Sequence, residues 1–233
     1  MPKIGLPLLQ LLHLADSAVP IGGLAHSFGL ETLTTEGILS AEGLESFLRD
    51  YLEEGGTLEA VFCRAASRLV GQSHNSLDSK RWLEINGRLS ALKLSRECRT
   101  ASATLGENFL LLVLRLGDFP VLREALEAAR QTRIGIHHSP AFGLTARVLA
   151  WDEDDAVQAF LHHSTAGLVS ACQRLLPLGQ TAAARILWNL KPAITETTRR
   201  SRSGAFEDAT CFTPLLDWGA FAHSGLSTRL FMS

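Results

Sequence analysis

The sequence predicts an all-α fold, a single-domain bundle of about ten helices spanning residues 1–233. Three observations carry that expectation. Apolar residues recur with a helical period in several stretches, and no segment alternates polar and apolar positions while also being β-branched. The residues flanking the stripes are those that start and stop helices. Leu44, Phe47, Leu48, Tyr51 and Leu52 fall at i, i+3, i+4, i+7 and i+8, one face of a helix. Val121, Leu122, Ala125, Leu126 and Ala129 repeat the pattern, and Val157, Phe160, Leu161, Leu168, Cys172 and Leu175 extend it over a longer span. Ser40 stands ahead of the first stripe, and Asp152 to Asp155 place carboxylates where a helix dipole favours them. Thr213-Pro214 pairs a capping side chain with a proline suited to the first helical position. Residues 191–212, rich in Thr, Ser, Arg and Gly, show no long apolar stripe and are expected to be the least ordered.

With 46% hydrophobic and 20% charged residues, the chain holds enough apolar surface for one sizeable core without disulfides or metal. A net charge of −2 argues against nucleic acid or an anionic membrane as partner. The densest basic run, Arg199, Arg200 and Arg202, is followed by Glu207 and Asp208 and reads as a solvated linker. Cys63, Cys98, Cys172 and Cys211 lie far apart among apolar or small residues, so no disulfide framework is expected and a reducing cytoplasm fits. Lys3 and the run Ile4 to Leu14 resemble parts of a secretory signal, but Pro7, Gln10 and His13 interrupt it; an amphipathic first helix is the better reading. No stretch reaches the ~18 to 20 uninterrupted apolar residues of a membrane span.

Three segments hold more than packing requires. In Asp16 to Glu31, Pro20 disfavours helix at Val19 and Gly22-Gly23 permits unusual backbone angles. A helix is expected to stop near Ser17 and another to begin near Leu24, with Asp16, Ser17, His26, Ser27 and Glu31 clustered around the turn. In Arg174 to Thr181, Pro177 ends a long helix and Gly179 supplies a corner. Thr181 is placed to cap the next helix, while Arg174 complements the preceding dipole and Gln180 follows the corner. The third segment is 213–233, apolar almost to its last residue through Leu226, Leu230, Phe231 and Met232; such a tail has to dock on its own core or on another protein.

Together these segments resemble the urease accessory protein UreF family. Its pattern is Asp-Ser-x-x-Pro-x-Gly followed by His-Ser-x-Gly-Leu-Glu, then Arg-Leu-x-Pro-Leu-Gly-Gln. Pro-Leu-Leu-Asp follows, leading to a closing His and Arg-Leu-Phe-x-Ser. Asp16-Ser17, Pro20, Gly22, His26-Ser27, Gly29-Leu30-Glu31, Arg174 to Gln180, Pro214 to Asp217, His223 and Arg229 to Ser233 match in order. Asn108-Phe109 and the His137–Gly143 segment are weaker matches. Leu24 stands where an aromatic is common, and Ser224 where an acidic residue often follows the histidine.

The resemblance implies an all-α, usually dimeric, non-catalytic scaffold. It implies a UreD/UreH-type accessory protein and the GTPase UreG as partners, acting together on apo-urease so that a lysine is carbamylated and nickel enters. Nickel is then cargo and GTP belongs to the partner, leaving this chain no cofactor of its own. The resemblance also associates the tail, here His223, Arg229, Leu230 and Phe231, with the UreD/UreH-type partner. Asp16, Ser17, Pro20, Gly22, His26, Ser27, Glu31, Arg174, Pro177, Gly179 and Gln180 are assigned to the dimer or GTPase-facing surface.

Other chemistries fit the residues less well. Asp16, Ser17 and His26 lie close in sequence, and Gly71-Gln72-Ser73-His74-Asn75 vaguely resembles a nucleophile elbow, yet the second glycine and the preceding strand are missing. The pairs His137-His138 and His162-His163 point about 100° apart on a helix and do not chelate one ion as an i, i+4 pair does. No Cys/His cluster and no phosphate-binding G-x-x-x-x-G-K-[ST] occurs. A DNA-binding helix after the 177–181 turn would have only Arg185 as its cation. A diverged helical adaptor unrelated to urease remains the alternative from another class.

Overall fold

In the computed structural model, residues 5–71 and 76–233 are described. Twelve α-helices run through them: α1 (Leu6–Leu14), α2 (Leu30–Thr35), α3 (Leu44–Tyr51), α4 (Thr57–Ser67), α5 (Ser79–Leu92) and α6 (Arg96–Leu116), followed by α7 (Pro120–Thr132), α8 (His138–Val148), α9 (Glu153–Leu175), α10 (Gln180–Asn189), α11 (Lys191–Ser201) and α12 (Pro214–Ala222). A π-helical segment, Leu52–Gly56, carries α3 straight into α4, and the buried Leu190 joins α10 to α11. Joined at those two points, the helices form ten rods, as the periodicity predicts. No strand occurs among the described residues; Val70 and Leu77 make one isolated antiparallel bridge. The elbow-like Gln72–Asn75 and the basic start at Lys3 lie outside the described residues.

The stripes read from the sequence are the ones that bury. Leu44, Leu48 and Leu52 are fully buried, as are Leu122 and Ala125 of α7 and Cys172 of α9. Each such leucine is worth about 1.5–3 kcal/mol relative to exposure. Caps set the registers. Asp152 Oδ1 accepts from the Asp154 and Asp155 N–H groups at 2.9 and 3.0 Å, and α9 stops at Leu175 ahead of Pro177. Asp78 accepts from the Arg81 N–H at 2.9 Å and starts α5.

Helix α8 lies at the centre, packed on α4, α6, α7 and α9 and buried from His138 through Ala146. Small residues let its neighbours come close. A Cβ at Gly143 would fall 2.7 Å from the Cys63 carbonyl carbon on α4, and one at Gly106 of α6 would fall 2.7 Å from the His137 carbonyl oxygen. Phe109, Phe142 and Phe160 surround the His138 ring, with Phe109 stacked on Phe142 at 5.3 Å. A buried cationic clamp ties the other side: Arg64 of α4 reaches Glu153 and Asp154 at the start of α9, and Ser201 Oγ and Thr198 O of α11.

Several expectations are corrected. Residues 191–201 form α11, and their buried stripe is Ile194, Thr197, Thr198 and Ser201, mostly hydroxyls and therefore invisible to an apolar count. Thr197 and Thr198 bury because they donate to Leu52 O and Ile194 O at 3.1 and 2.9 Å, which removes the cost of desolvating a hydroxyl. Helix α1 is not amphipathic: Leu11 and Leu14 bury while Leu6, Leu8, Leu9 and Leu12 stay exposed. It ends at Leu14, and α2 begins only at Leu30, with a single 3-10 turn at Gly23–Ala25 between them. Thr181 lies inside α10, whose cap is Gly179, and Thr213 bonds Asp217 Oδ2 at 3.3 Å instead of a backbone N–H.

The buried histidines make stability depend on pH. His137 is held by Ser102 Oγ at 3.0 Å, and burial pushes its pKa down to about 3; burial also drives His138 well below the usual range and lowers His163. The unfolded chain takes up protons near its ordinary pKa of about 6.5 while the folded chain does not, so stability falls as pH drops below that value. Denaturant titrations between about pH 7 and pH 5 are expected to show that loss, with a shallower slope for His138→Phe. Equal slopes for the two proteins would remove His138 from the account.

Candidate functional site

The three motif segments, far apart in sequence, close on one another at the tail. Ser27, Phe28 and Gly29 lead into α2, with Phe28 at φ +53° and Gly29 at φ +92°. The backbone N–H groups of Ser27 and Phe28 point the same way: both donate to Ser233 O, at 2.5 and 3.1 Å. Ser27 Oγ adds a third donor to that oxygen at 2.8 Å, and His26 Nδ1 lies 2.8 Å from Ser233 Oγ. One residue earlier, the Met232 N–H donates to Ala25 O at 2.9 Å.

Glu31, in the first turn of α2, holds the next part of the tail. Its Oε1 accepts from the Leu230 N–H at 2.5 Å, and its Oε2 accepts from the Phe231 N–H at 3.1 Å and faces His223 Nε2 at 2.9 Å. Burial pushes the Glu31 carboxyl up, but the hydrogen bonds from Leu230, His223 and Phe231 outweigh it and hold its pKa below the usual value. The other ring nitrogen of His223 lies 2.8 Å from Glu97 Oε2 on α6, and Arg229 stands 3.9 Å from the same carboxylate.

Arg174, from the second segment, closes the arrangement. Its Nη2 donates to Leu24 O at 2.7 Å, and its guanidinium sits over the Phe231 ring at 4.1 Å, a cation–π contact. Exposure alternates along the tail: Phe231 is 4% exposed, while Leu230 and Met232 on either side are 59% and 72% exposed. Under the tail, α12 meets the start of α2 backbone to backbone, where Cβ atoms on Gly29 or Gly219 would collide with the facing chain. The outer side of α12 presents Leu215, Trp218 and Phe221, all exposed.

Of the residues singled out from sequence, His26, Ser27, Glu31, Arg174, His223, Leu230 and Phe231 meet here, and Arg229 joins through Glu97. His223 and Phe231 are buried in the chain itself, so they face its own core and hold the tail in place. Asp16, Pro20 and Gly22 remain on the exposed turn, Asp16 accepting from the Ala18 N–H at 2.7 Å. Ser17 is exposed at the rim of a cavity of about 170 Å³ that reaches Glu59, Lys93 and Asp217. Pro177, Gly179 and Gln180 form an exposed corner, where Gln180 accepts from Gln173 at 3.0 Å. Asp16, Ser17 and His26 share no hydrogen bond among the described residues, and the paired histidines diverge: His137 turns to Ser102, His138 to the aromatic core. Sequence reading missed Glu97, Gly219 and the apolar side of α12. Pro214-Leu215-Leu216-Asp217 held a hint of the last, but nothing local marks Glu97.

Fold and site together define an all-helical protein that folds its own tail onto its N-terminal motif beside an apolar helix face. The UreF family model matches residues 38–191, and the chain belongs to the UreF family of urease accessory proteins. It is similar to the urease accessory protein UreF of Corynebacterium glutamicum (strain R), 31% identical over 224 residues that cover 96% of each chain. The protein of the same name from Actinobacillus pleuropneumoniae serotype 3 (strain JL03) is 29% identical over 96% of this chain and 97% of its own. That of Bacillus sp. (strain TB-90) is 28% identical over 97% and 99%.

Proposed function

We propose that this chain is a non-catalytic scaffold of urease maturation in the cytoplasm, docking a UreD/UreH-type accessory protein on α12 and the tail. The observation that carries the reading is the exposed apolar set on that continuous stretch: Leu215, Trp218 and Phe221 on the helix, Leu230 and Met232 on the tail. Large exposed apolar and aromatic side chains together with a cation, Arg229, are the residue types of a binding hot spot. The family supports the setting, since its members are accessory proteins of urease. In this reading the GTPase UreG and apo-urease join the same assembly, GTP chemistry belongs to UreG, and nickel is cargo. A second copy of this chain and UreG use the exposed parts of the other two motifs, Asp16, Ser17, Pro20, Gly22, Pro177, Gly179 and Gln180.

Two variants test the docking face against a purified UreD/UreH-type protein. Removing residues 224–233 is expected to abolish the complex while leaving helical content nearly intact. Trp218→Asp is expected to weaken it by about 30-fold or more, the effect of one hot-spot residue. Undiminished binding by both variants would refute the assignment. In cells supplied with nickel and the cognate urease genes, loss of this chain is expected to abolish urease activity with urease subunits still abundant.

A further inference from the structure

We propose that Glu31 is the positioning residue of the docking tail: its carboxylate sets which side chains the tail shows and which it buries. The proposal rests on the docking reading above and deepens it. A tail outside helix and sheet has no ladder to satisfy its amides, and such segments fray unless something ties them down. Here one side chain receives two successive tail amides, Leu230 and Phe231, and the ring of His223 as well. The chain bends at Leu230 and Phe231, and bringing both amides to one carboxylate fixes that bend, and with it the alternation that buries Phe231 against Arg174 and leaves Leu230 and Met232 outside.

The geometry links this hub to the rest of the surface. Glu31 sits one residue past the start of α2 and two past Gly29, which abuts α12 at Leu216 and Ala220. His223 begins the turn that ends α12, and its second nitrogen is anchored on α6 through Glu97. Helix α12 and the tail are therefore referenced to the same carboxylate. Glu31 itself is buried and offers no surface to a partner. Its effect on docking is indirect, through the presentation of Leu230, Met232 and Arg229.

Glu31→Gln keeps the shape and one acceptor oxygen but removes the charge and places an amide against two donors. In the free chain, exchange of the Leu230 and Phe231 amides is expected to accelerate about tenfold or more, with helical content unchanged. Affinity for the UreD/UreH-type protein is expected to fall by a similar factor. Leu230→Ala is the complementary variant: it is expected to lower affinity with the Phe231 and Met232 amides still protected, since it removes a contact and leaves the hub. Glu97→Gln, at the partly exposed end of the relay, is expected to give a smaller acceleration at the same two amides and serves if Glu31→Gln does not fold. Wild-type protection of the tail in both charge-removing variants would overturn the proposal. So would a freed tail with unchanged affinity. A wild-type chain that binds no UreD/UreH-type protein would fail the docking reading alone, because amide protection in the free chain still reports on Glu31.

Discussion

Gly143→Ala is expected to destabilise the fold by about 3 kcal/mol or more, the upper range for forcing atoms into a packed interior. Helix α8 crosses α4 with backbones in contact, and the new methyl would overlap the Cys63 carbonyl, which belongs to the hydrogen-bond ladder of α4 and has no rotamer to escape into. The helices have to separate, and separation opens the core along its most extensive helix pairing, loosening Phe62 and Phe142, both fully buried. Gly87→Ala on α5 is the control: nothing lies within 4 Å of its Cβ, and a helix-interior alanine is expected to stabilise by about 0.5–1 kcal/mol. Urea unfolding of the two variants beside the wild type reads both signs. Coincident midpoints for Gly143→Ala and wild type would mean that α4 and α8 do not meet backbone to backbone.

Arg64→Met is expected to cost about 2–3 kcal/mol, toward or below the low end for breaking a buried ion pair, because the carboxylates left behind are not fully buried. The Arg64 side chain is 3% exposed, but Glu153 and Asp154 are 33% and 26% exposed and keep Arg68 and Arg202 as partners. What is lost is mainly the fan of hydrogen bonds that joins α4, α9 and α11, including those to Ser201 Oγ and Thr198 O at 3.2 Å. The same cluster sets an acid limb. Burial pushes Glu153 up, yet hydrogen bonds from Arg68, Arg64 and Ser67 hold it below its usual value; Arg202, then Arg64, lower Asp154. Depressed carboxyl pKa values give stability that is present above the unfolded pKa and lost as pH falls through the folded one, so this limb lies below about pH 4.5. Arg64→Met is expected to shrink it. A double-mutant cycle of Arg64→Met with Glu153→Gln measures the coupling, and strict additivity would show that the two side chains do not share the interaction.

Much of this architecture can be read along the chain, because burial on one helix face leaves a 3.6-residue trace. Helices α3, α7 and α9 announce themselves through Leu44–Leu52, Val121–Ala129 and Val157–Leu175, and Asp152 marks where α9 starts. Helix α11 leaves no such trace: Thr197 donates to Leu52 O, Thr198 to Ile194 O of its own helix, and Ser201 Oγ accepts from Arg64, and hydroxyls read as solvent-facing until such partners are known. Helix α1 misleads the other way, since leucine on every side looks like burial and only Leu11 and Leu14 are buried. The site divides likewise. Asp16 to Glu31 and Arg174 to Gln180 stand out because their proline, glycine and polar residues exceed what turns require, and His223 to Ser233 because it stays apolar almost to its last residue.

By itself the sequence determined a helical chain, the start and stop of α9, the start of α12, and, through three ordered motifs, its family. Periodicity and capping are local, acting within a turn or two of the residue concerned. The tertiary structure alone decided that Glu31 receives the amide of Phe231, 200 residues away, and that Glu97, with nothing unusual around it, completes the relay through His223. Such contacts depend on how helices cross, and on glycines such as Gly29 and Gly219 that let two backbones touch. A hydrogen bond between distant segments imposes no period on either of them, so the meeting of the three motifs becomes visible only once the core has brought them to one place.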